Sequence, residues 1–301
     1  MVYGAIFAGG YGKRLRPFTD EIPKVLLTLR DDYTILDKQL MDFKNSEINH
    51  VFLLVGHKWQ KIKKRYGNEW KNIKLEYLVE KKPMGTLWAL KNCAKYLDDD
   101  VVLRNGDTVS DFNIKKMVNF SKKNDFEATI ALTRMKSPYA IIEFEDNRIK
   151  SFVEKPFLDH YINAGLYYFK KSSFRYLNEE YTEKEIEKTF IPKLVSLNLV
   201  GAFIENVKWF PVDNFKDLEE VRNEYKNRKD TEFGYIKNFK GFKEIFVKES
   251  YSLKINLKGK LKLIEGKGII DGSIIKMGEE ILIDEKKYFE AKENSKIIII
   301  S

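Results

Sequence analysis

The first half of the chain alternates short apolar runs with amphipathic stretches, and that alternation leaves few folds open. "YGAIFA", "HVFLLVG", "KLEYLV" and "DDVVLRNGD" read as largely buried strands. Between them, "TILDKQLMDFKNS", "KWQKIKKRYG" and "TLWALKNCAKYL" carry apolar residues at helical spacing, with Thr34 placed to cap the first. Strand–helix–strand units of this length connect parallel strands, so the spacing predicts an α/β fold whose sheet is covered by helices on both faces. Ligands of such sheets bind beyond the carboxyl ends of the strands. That rule lines up Gly9 to Arg14 and Asn105 to Asp107 along one edge, each group just past a strand.

After about Asp125 the pattern changes to consecutive strands, "EATIALTR", "YAIIEFED", "RIKSFVEK" and "INAGLYYF", expected as an antiparallel extension of the same sheet. A helical stretch is expected over Ser172 to Leu197, then one strand, "VGAFIENVKWFPV", and a helix capped by Asn214. The polar "KNRKDTEFG" places a boundary near Lys229, dividing the chain into a domain over 1–228 and a small all-β domain over 229–301. In the latter, aliphatic residues fall every sixth position from Leu257 to Ile281, as in a β-helix cap. The hairpin-like tail pattern instead favours a cupin-like antiparallel barrel, although without histidine it lacks the usual cupin metal ligands. The sticky "KIIIIS" is expected to be an inner strand.

Composition narrows the function classes. Cys93 is the only cysteine and the three histidines are far apart, so neither a disulfide nor a thiolate or histidine metal cluster is indicated. The net charge of +9 is spread among glutamates over nearly the whole length, and no nucleic-acid module accompanies it. We therefore expect small anionic substrates rather than nucleic acid. Neither a leader segment nor a membrane span is apparent, and the expected setting is cytoplasmic.

The stretch from Gly9 to Lys24 asks for an anion. Gly9, Gly10 and Gly12 at a strand's end let backbone N–H groups approach a phosphate, and Lys13, Arg14 and Lys24 add cations. Pro17 and Pro23 stiffen the return. The spacing is neither that of a dinucleotide-binding loop nor that of a Walker loop. "AGGYGKRLRPFTDEIPK" instead resembles the signature of sugar-1-phosphate nucleotidyltransferases, which join a nucleoside triphosphate to a sugar phosphate and release pyrophosphate. "EKKPMGTLWAL", "LRNGD", "FVEKP", "INAGLYYF" and "WFPVDNFKDL" resemble further segments of that family, in its order, so the resemblance covers roughly residues 1–228.

The resemblance implies a Rossmann-like, mainly parallel sheet of the nucleotide-diphospho-sugar transferase type. It assigns Gly9, Gly10, Gly12, Arg14 and Lys24 to the triphosphate, and Glu80, Gly85 and Thr86 to the base. Glu154, Lys155, Asn163 and Gly165 fall to the sugar phosphate, and Asp107 to a magnesium ion. The family's second metal aspartate is replaced here by Pro211, so Asp213 is the expected second ligand and Asp217 a first-turn helix residue. Relatives commonly carry glycine where this chain has Ala140, close to the sugar. Glu80 offers only acceptors, which suits the adjacent N1–H and N2–H₂ donors of guanine, and the expectation leans to GTP with mannose-1-phosphate. Uridylyl or thymidylyl transfer to glucose-1-phosphate is the alternative, and a non-catalytic sugar-nucleotide-binding subunit a more remote one. Any homo-oligomer is expected to form through the C-terminal domain.

Overall fold

The computed structural model describes residues 1–300. In chain order its elements begin with β1 (Val2–Ala8), α1 (Phe18–Glu21), the short pair β2 (Thr28–Arg30) and β3 (Tyr33–Thr34), α2 (Ile35–Asn45) and β4 (His50–Val55). There follow α3 (Trp59–Tyr66), β5 (Glu69–Trp70), β6 (Ile73–Val79), α4 (Thr86–Ala94), β7 (Asp100–Asn105) and β8 (Thr108–Ser110). Next come α5 (Ile114–Asn124), β9 (Ala128–Lys136), β10 (Ile141–Glu145), β11 (Arg148–Val153) and β12 (Phe157–Phe169). The series continues with α6 (Phe190–Ser196), β13 (Val200–Ile204), β14 (Trp209–Pro211) and α7 (Phe215–Tyr225). The chain divides into two compact units, one of residues 1–27 and 39–213, the other of 28–38 and 214–301.

The first unit is built on an eight-stranded sheet of order β13-β9-β12-β7-β1-β4-β6-β5. Strands β7, β1, β4 and β6 run parallel, as the alternating pattern requires, while β12 lies antiparallel between β7 and β9. Helices cover both faces. On one, Leu87 and Leu90 of α4 join Ala5, Leu103, Phe169 and Phe190 in a single buried cluster. On the other, Gly4 faces Phe43 of α2. The same α2 sends its buried Gln39 amide to the carbonyls of Asn105 (3.0 Å) and Thr108 (2.8 Å), bracing the turn after β7. Thr34 caps α2, its hydroxyl accepting the Asp37 N–H at 3.1 Å.

Three expectations need correction. The strands "YAIIEFED" and "RIKSFVEK" do not extend the main sheet; β10 and β11 pair only with each other. The reason is occupancy, since β9 already has the thirteen-residue β12 on one side and β13 on the other. The single strand expected over residues 200–212 is two. Glu205 leaves the sheet to accept the backbone N–H of Asn113 at 2.8 Å, and β14 then pairs with β8 instead. The stretch expected to be helical from Ser172 to Leu197 is broken: 3₁₀ turns over Lys171–Asn178 and Ile186–Lys188 are separated by an irregular, mostly charged segment, and α6 is its only α-helix.

In the second unit, α7 is capped by Asn214 and Asp217 reciprocally, each side chain accepting the other's backbone N–H at 3.1 Å. Arg222 donates to the Thr28 carbonyl of β2 at 3.0 Å. The buried Arg228 guanidinium binds Asp230 and lies between the rings of Tyr225 and Tyr235, 4.5 and 4.0 Å from their centroids. The remaining strands are β15 (Arg228–Thr231), β16 (Gly234–Phe239), β17 (Phe242–Val247), β18 (Ser252–Ile255) and β19 (Gly259–Glu265). After these come β20 (Gly268–Ile270), β21 (Ser273–Ile275), β22 (Glu280–Ile283), β23 (Lys287–Ala291) and β24 (Ser295–Ile300). They form a six-stranded sheet, β15-β16-β17-β24-β19-β22, and a four-stranded one, β18-β23-β20-β21, with antiparallel pairing throughout. The isoleucine-rich β24 sits inside, between β17 and β19.

Under the first unit's sheet edge, Arg104 of β7 and Asp42 of α2 form a buried ion pair at 3.0 Å. Removing one partner strands the other charge away from water. Asp42→Ala should therefore destabilise the protein by about 3–5 kcal/mol, read as a lowered urea midpoint at unchanged m-value; a midpoint within error of the parent would contradict it.

Candidate active site

A cleft of about 320 Å³ opens at the carboxyl ends of β1, β4, β6 and β7, and its lining includes Gly9, Gly10, Lys24, Glu80, Thr86 and Asp107. That volume suits a small ligand. The glycine turn and the turn after β7 are tied together where the Gly106 N–H donates to the Phe7 carbonyl at 3.0 Å. Beyond Gly12 the chain makes a 3₁₀ turn over Lys13–Leu15 that buries Leu15 and leaves Arg14 largely exposed. Lys13 is exposed and lies over the Tyr11 ring at 5.9 Å. Pro23 leads a second 3₁₀ turn, Lys24–Leu26, which buries Val25 and Leu26 and so aims Lys24 into the cleft.

Lys24 Nζ lies 3.0 Å from Asp107 Oδ2 and 3.0 Å from Asp213 Oδ1, and Arg14 reaches Asp213 Oδ1 at 2.9 Å. The convergence follows from strand register. Thr108 of β8 pairs with Pro211 of β14, and the Val212 N–H donates to the Asp107 carbonyl at 2.9 Å. The ladder thereby sets Asp107 and Asp213 side by side although they are remote in sequence. Both carboxylates keep open faces, at 42% and 35% exposure, whereas Lys24 is only 12% exposed. Two oxygen donors converging on one point, with room for water or phosphate, match what a magnesium ion takes from protein. Among the described residues no group of three or more His, Cys, Asp or Glu could hold a metal, so further ligands would come from outside the chain. Asp217 is committed to the α7 cap.

The opposite wall is the loop after β6. Glu80 packs against the glycine turn so closely that a Cβ on Gly9 would lie 2.7 Å from its Oε1, and its Oε2 accepts the Met84 N–H at 3.2 Å. Gly85, at φ +90°, turns the chain into α4. Thr86 accepts the Ile186 N–H at 2.9 Å and contacts Glu187 Oε2 at 3.5 Å. Glu187, which also lines the cleft, was not singled out by the sequence. It is one of three glutamates at alternate positions in "EKEIEK", and nothing local distinguishes them. The tertiary signal is its partner: the buried Tyr167 hydroxyl donates to Glu187 Oε1 at 3.0 Å and accepts from the Asn163 amide at 2.7 Å. Burial, with Glu187 beside it, pushes the Tyr167 phenol well above its ordinary pKa, so it stays a neutral donor. Tyr11, its ring tilted against that of His57 at 4.7 Å between centroids, is a second lining residue the sequence did not mark.

The sugar-phosphate candidates are less gathered. Asn163 also accepts the Gly165 N–H at 2.9 Å, so both belong to the network behind Glu187 rather than to the cleft lining. Glu154 and Lys155 follow β11 at a bend where Lys155 has φ +47°, and their charged ends are 3.7 Å apart and open to solvent. Neither lines the cleft, nor do Gly12, Arg14 or Asp213, although the last two reach it through the Lys24 ion-pair cluster.

No helix among the described residues is long and apolar enough to cross a membrane. The chain is similar to the mannose-1-phosphate guanyltransferase of Hypocrea jecorina, 31% identical over 228 residues that make up 71% of this chain and 62% of the relative. The mannose-1-phosphate guanylyltransferase catalytic subunit beta of Xenopus tropicalis is 31% identical over 224 residues, covering 71% of this chain and 61% of that one. The chain thus spans a little over three fifths of the length of these relatives. In fold it is similar to HddC from Yersinia pseudotuberculosis complexed with GMP-PN, with a TM-score of 0.59, 22% identity, and coverage of 75% of this chain and 100% of that one. The nucleotidyl transferase family model matches residues 3–238, well over half of the chain, and with the cleft at the expected sheet edge this establishes that the protein belongs to the nucleotidyl transferase family.

Proposed function

We propose that the protein transfers a nucleotidyl group from a nucleoside triphosphate to a sugar-1-phosphate, releasing pyrophosphate. The observation that carries this reading is the convergence of Lys24, Arg14, Asp107 and Asp213 at the mouth of a cleft walled by the glycine turn. In the reaction, an oxygen of the sugar phosphate forms a bond to the α-phosphorus as the bond to the β-phosphate oxygen breaks, and pyrophosphate leaves with that electron pair. The attacking oxygen is already ionised near neutral pH, so no general base is needed. The barrier lies in bringing two polyanions together and in the charge that gathers at the transferring phosphorus.

Each residue then has a physical task. Gly9, Gly10 and Gly12 admit the triphosphate close to backbone N–H groups. Arg14 serves the β- and γ-phosphates, and Lys24 the α-phosphate. Asp107 and Asp213 would hold a magnesium ion, which supplies positive charge at the phosphates when bound. In this structure the aspartates are neutralised by Lys24 and Arg14 themselves. The Glu187–Tyr167–Asn163 chain stiffens the wall beneath Thr86. Glu154 and Lys155, on the bend after β11, are the groups for sugar hydroxyls and sugar phosphate, and Asn163 and Gly165, in the network behind Glu187, are the further groups for the sugar.

For the base we propose guanine, and for the sugar mannose. The similarity to mannose-1-phosphate guanyltransferases supports this, as does Glu80, an acceptor-only side chain on the cleft wall beside Gly85 and Thr86. Guanine presents two adjacent donors to a carboxylate, whereas uracil presents one. We further propose that the catalytic machinery lies within residues 1–228 and that residues 229–301 are a separate all-β domain without catalytic residues. Truncation after Lys229 should accordingly leave measurable transfer.

Three outcomes are expected. Arg14→Ala and Lys24→Ala should each lower kcat by about a hundredfold or more with an unchanged circular dichroism spectrum, and parent-like turnover would remove both from the mechanism. Asp213→Asn should raise the magnesium concentration needed for half-maximal rate, and an unshifted requirement would exclude Asp213 as a ligand. In pyrophosphate release across GTP, UTP, dTTP, CTP and ATP with mannose- or glucose-1-phosphate, GTP with mannose-1-phosphate should be fastest; a faster UTP or dTTP reaction would overturn the role given to Glu80.

A further inference from the structure

The β10–β11 hairpin carries a feature that the proposed chemistry does not use. Every residue from Ile141 to Lys150 is exposed, and the ladder makes no pairing outside itself. Its register is Ile142 opposite Phe152 and Phe144 opposite Ile149, with a bulge after Glu143. Residues opposite each other across a ladder share a face, as do residues two apart on one strand. Ile142, Phe144, Ile149 and Phe152 therefore form one uninterrupted apolar face. Glu143, Ser151, Glu145 and Arg148 fall on the other, with Ile141 and Val153 at the open end of the hairpin. An apolar face of this size, on a hairpin with no core beneath it, is the pattern of a sheet that expects a cover.

The four side chains are 46%, 72%, 64% and 62% exposed, in chain order. At ordinary side-chain areas they leave roughly 400–500 Å² of apolar surface in water. A stable association buries about 800 Å² per partner, so these four supply more than half. Tyr139 and Phe157, the large residues flanking the hairpin in sequence at 76% and 61% exposure, are available to extend it.

Charge indicates what the cover is. The chain carries +9 overall, so two copies repel at most approaches. The hairpin is close to neutral, with Glu143, Glu145 and Asp146 against Arg148 and Lys150. A second copy can therefore approach here with far less repulsion than the overall charge implies, and the charged pair Glu145–Arg148 and Glu143 stay in water on the outer face. The apolar face itself holds no charge to desolvate and no polar pattern that would select a different protein. A patch of this kind is complementary to itself, which is the requirement for an isologous dimer.

We infer that the protein forms a twofold homodimer by packing the Ile142–Phe144–Ile149–Phe152 face of one β10–β11 hairpin against the same face of a second copy. This stands independently of the activity proposed above. It also differs from the sequence-based expectation of contact through the C-terminal domain.

The test is sedimentation velocity and light scattering on the full chain across micromolar concentrations. The parent should be dimeric. The double variant Phe144→Glu/Phe152→Glu should be monomeric with an unchanged circular dichroism spectrum, since both side chains are exposed. The control Ile274→Glu/Leu282→Glu, which charges equally exposed residues of the C-terminal sheets, should remain dimeric. A monomeric parent, a dimer indifferent to the hairpin variant, or a dimer broken by the control would each overturn the inference.

Discussion

The site depends on one electrostatic constraint: two carboxylates brought side by side must share a cation. Asp107 and Asp213 are placed together by the pairing of β8 with β14, and two like charges set side by side repel unless a positive charge lies between them. Lys24, fixed by the 3₁₀ turn after Pro23, supplies it at 3.0 Å to both, and Arg14 adds a second contact to Asp213. The cluster is balanced, two negative against two positive.

The surrounding structure keeps that cluster in place. Gln39 holds the turn after β7 from below, and Gly106 fastens it to the end of β1. The Arg104–Asp42 pair locks the same segment one residue earlier. On the far wall, Thr86 and Glu187 connect the start of α4 to Tyr167 and Asn163 on β12, so a strand of the antiparallel part of the sheet supports the cleft formed by the parallel part. The rigid pieces are buried and hydrogen-bonded. Arg14, Glu154 and Lys155, proposed above to meet the substrates, are the exposed ones.

How much was legible in the sequence varies by residue. The β1–α2–β4–α3–β6–α4–β7 succession could be read directly, because buried parallel strands must be apolar and their covering helices amphipathic. Gly9, Gly10 and Asp107 were legible as cleft residues, since each follows a strand whose direction the alternation dictates, while Lys24, beyond α1, was legible only by its charge and the family resemblance. The placement of β10 and β11 was not. Their alternation is as regular as that of sheet strands, and only the prior claim of β12 and β13 on the edges of β9 keeps them out. Glu187 was hidden for a related reason: three equivalent glutamates compete locally, and a hydrogen bond from Tyr167 selects one.

By itself the sequence determined the α/β class, the sheet edge that carries the cleft and the glycines and cations set along it. All three follow from local rules, namely periodicity, strand direction and the charge of residues just past strand ends. Only the tertiary structure decided how strand pairing brings Asp213 beside Asp107, that Glu187 closes the far wall, and that a hairpin projects with its apolar face uncovered. Those outcomes rest on which distant backbones pair. Pairing is a competition among edges and caps that no single stretch of chain contains.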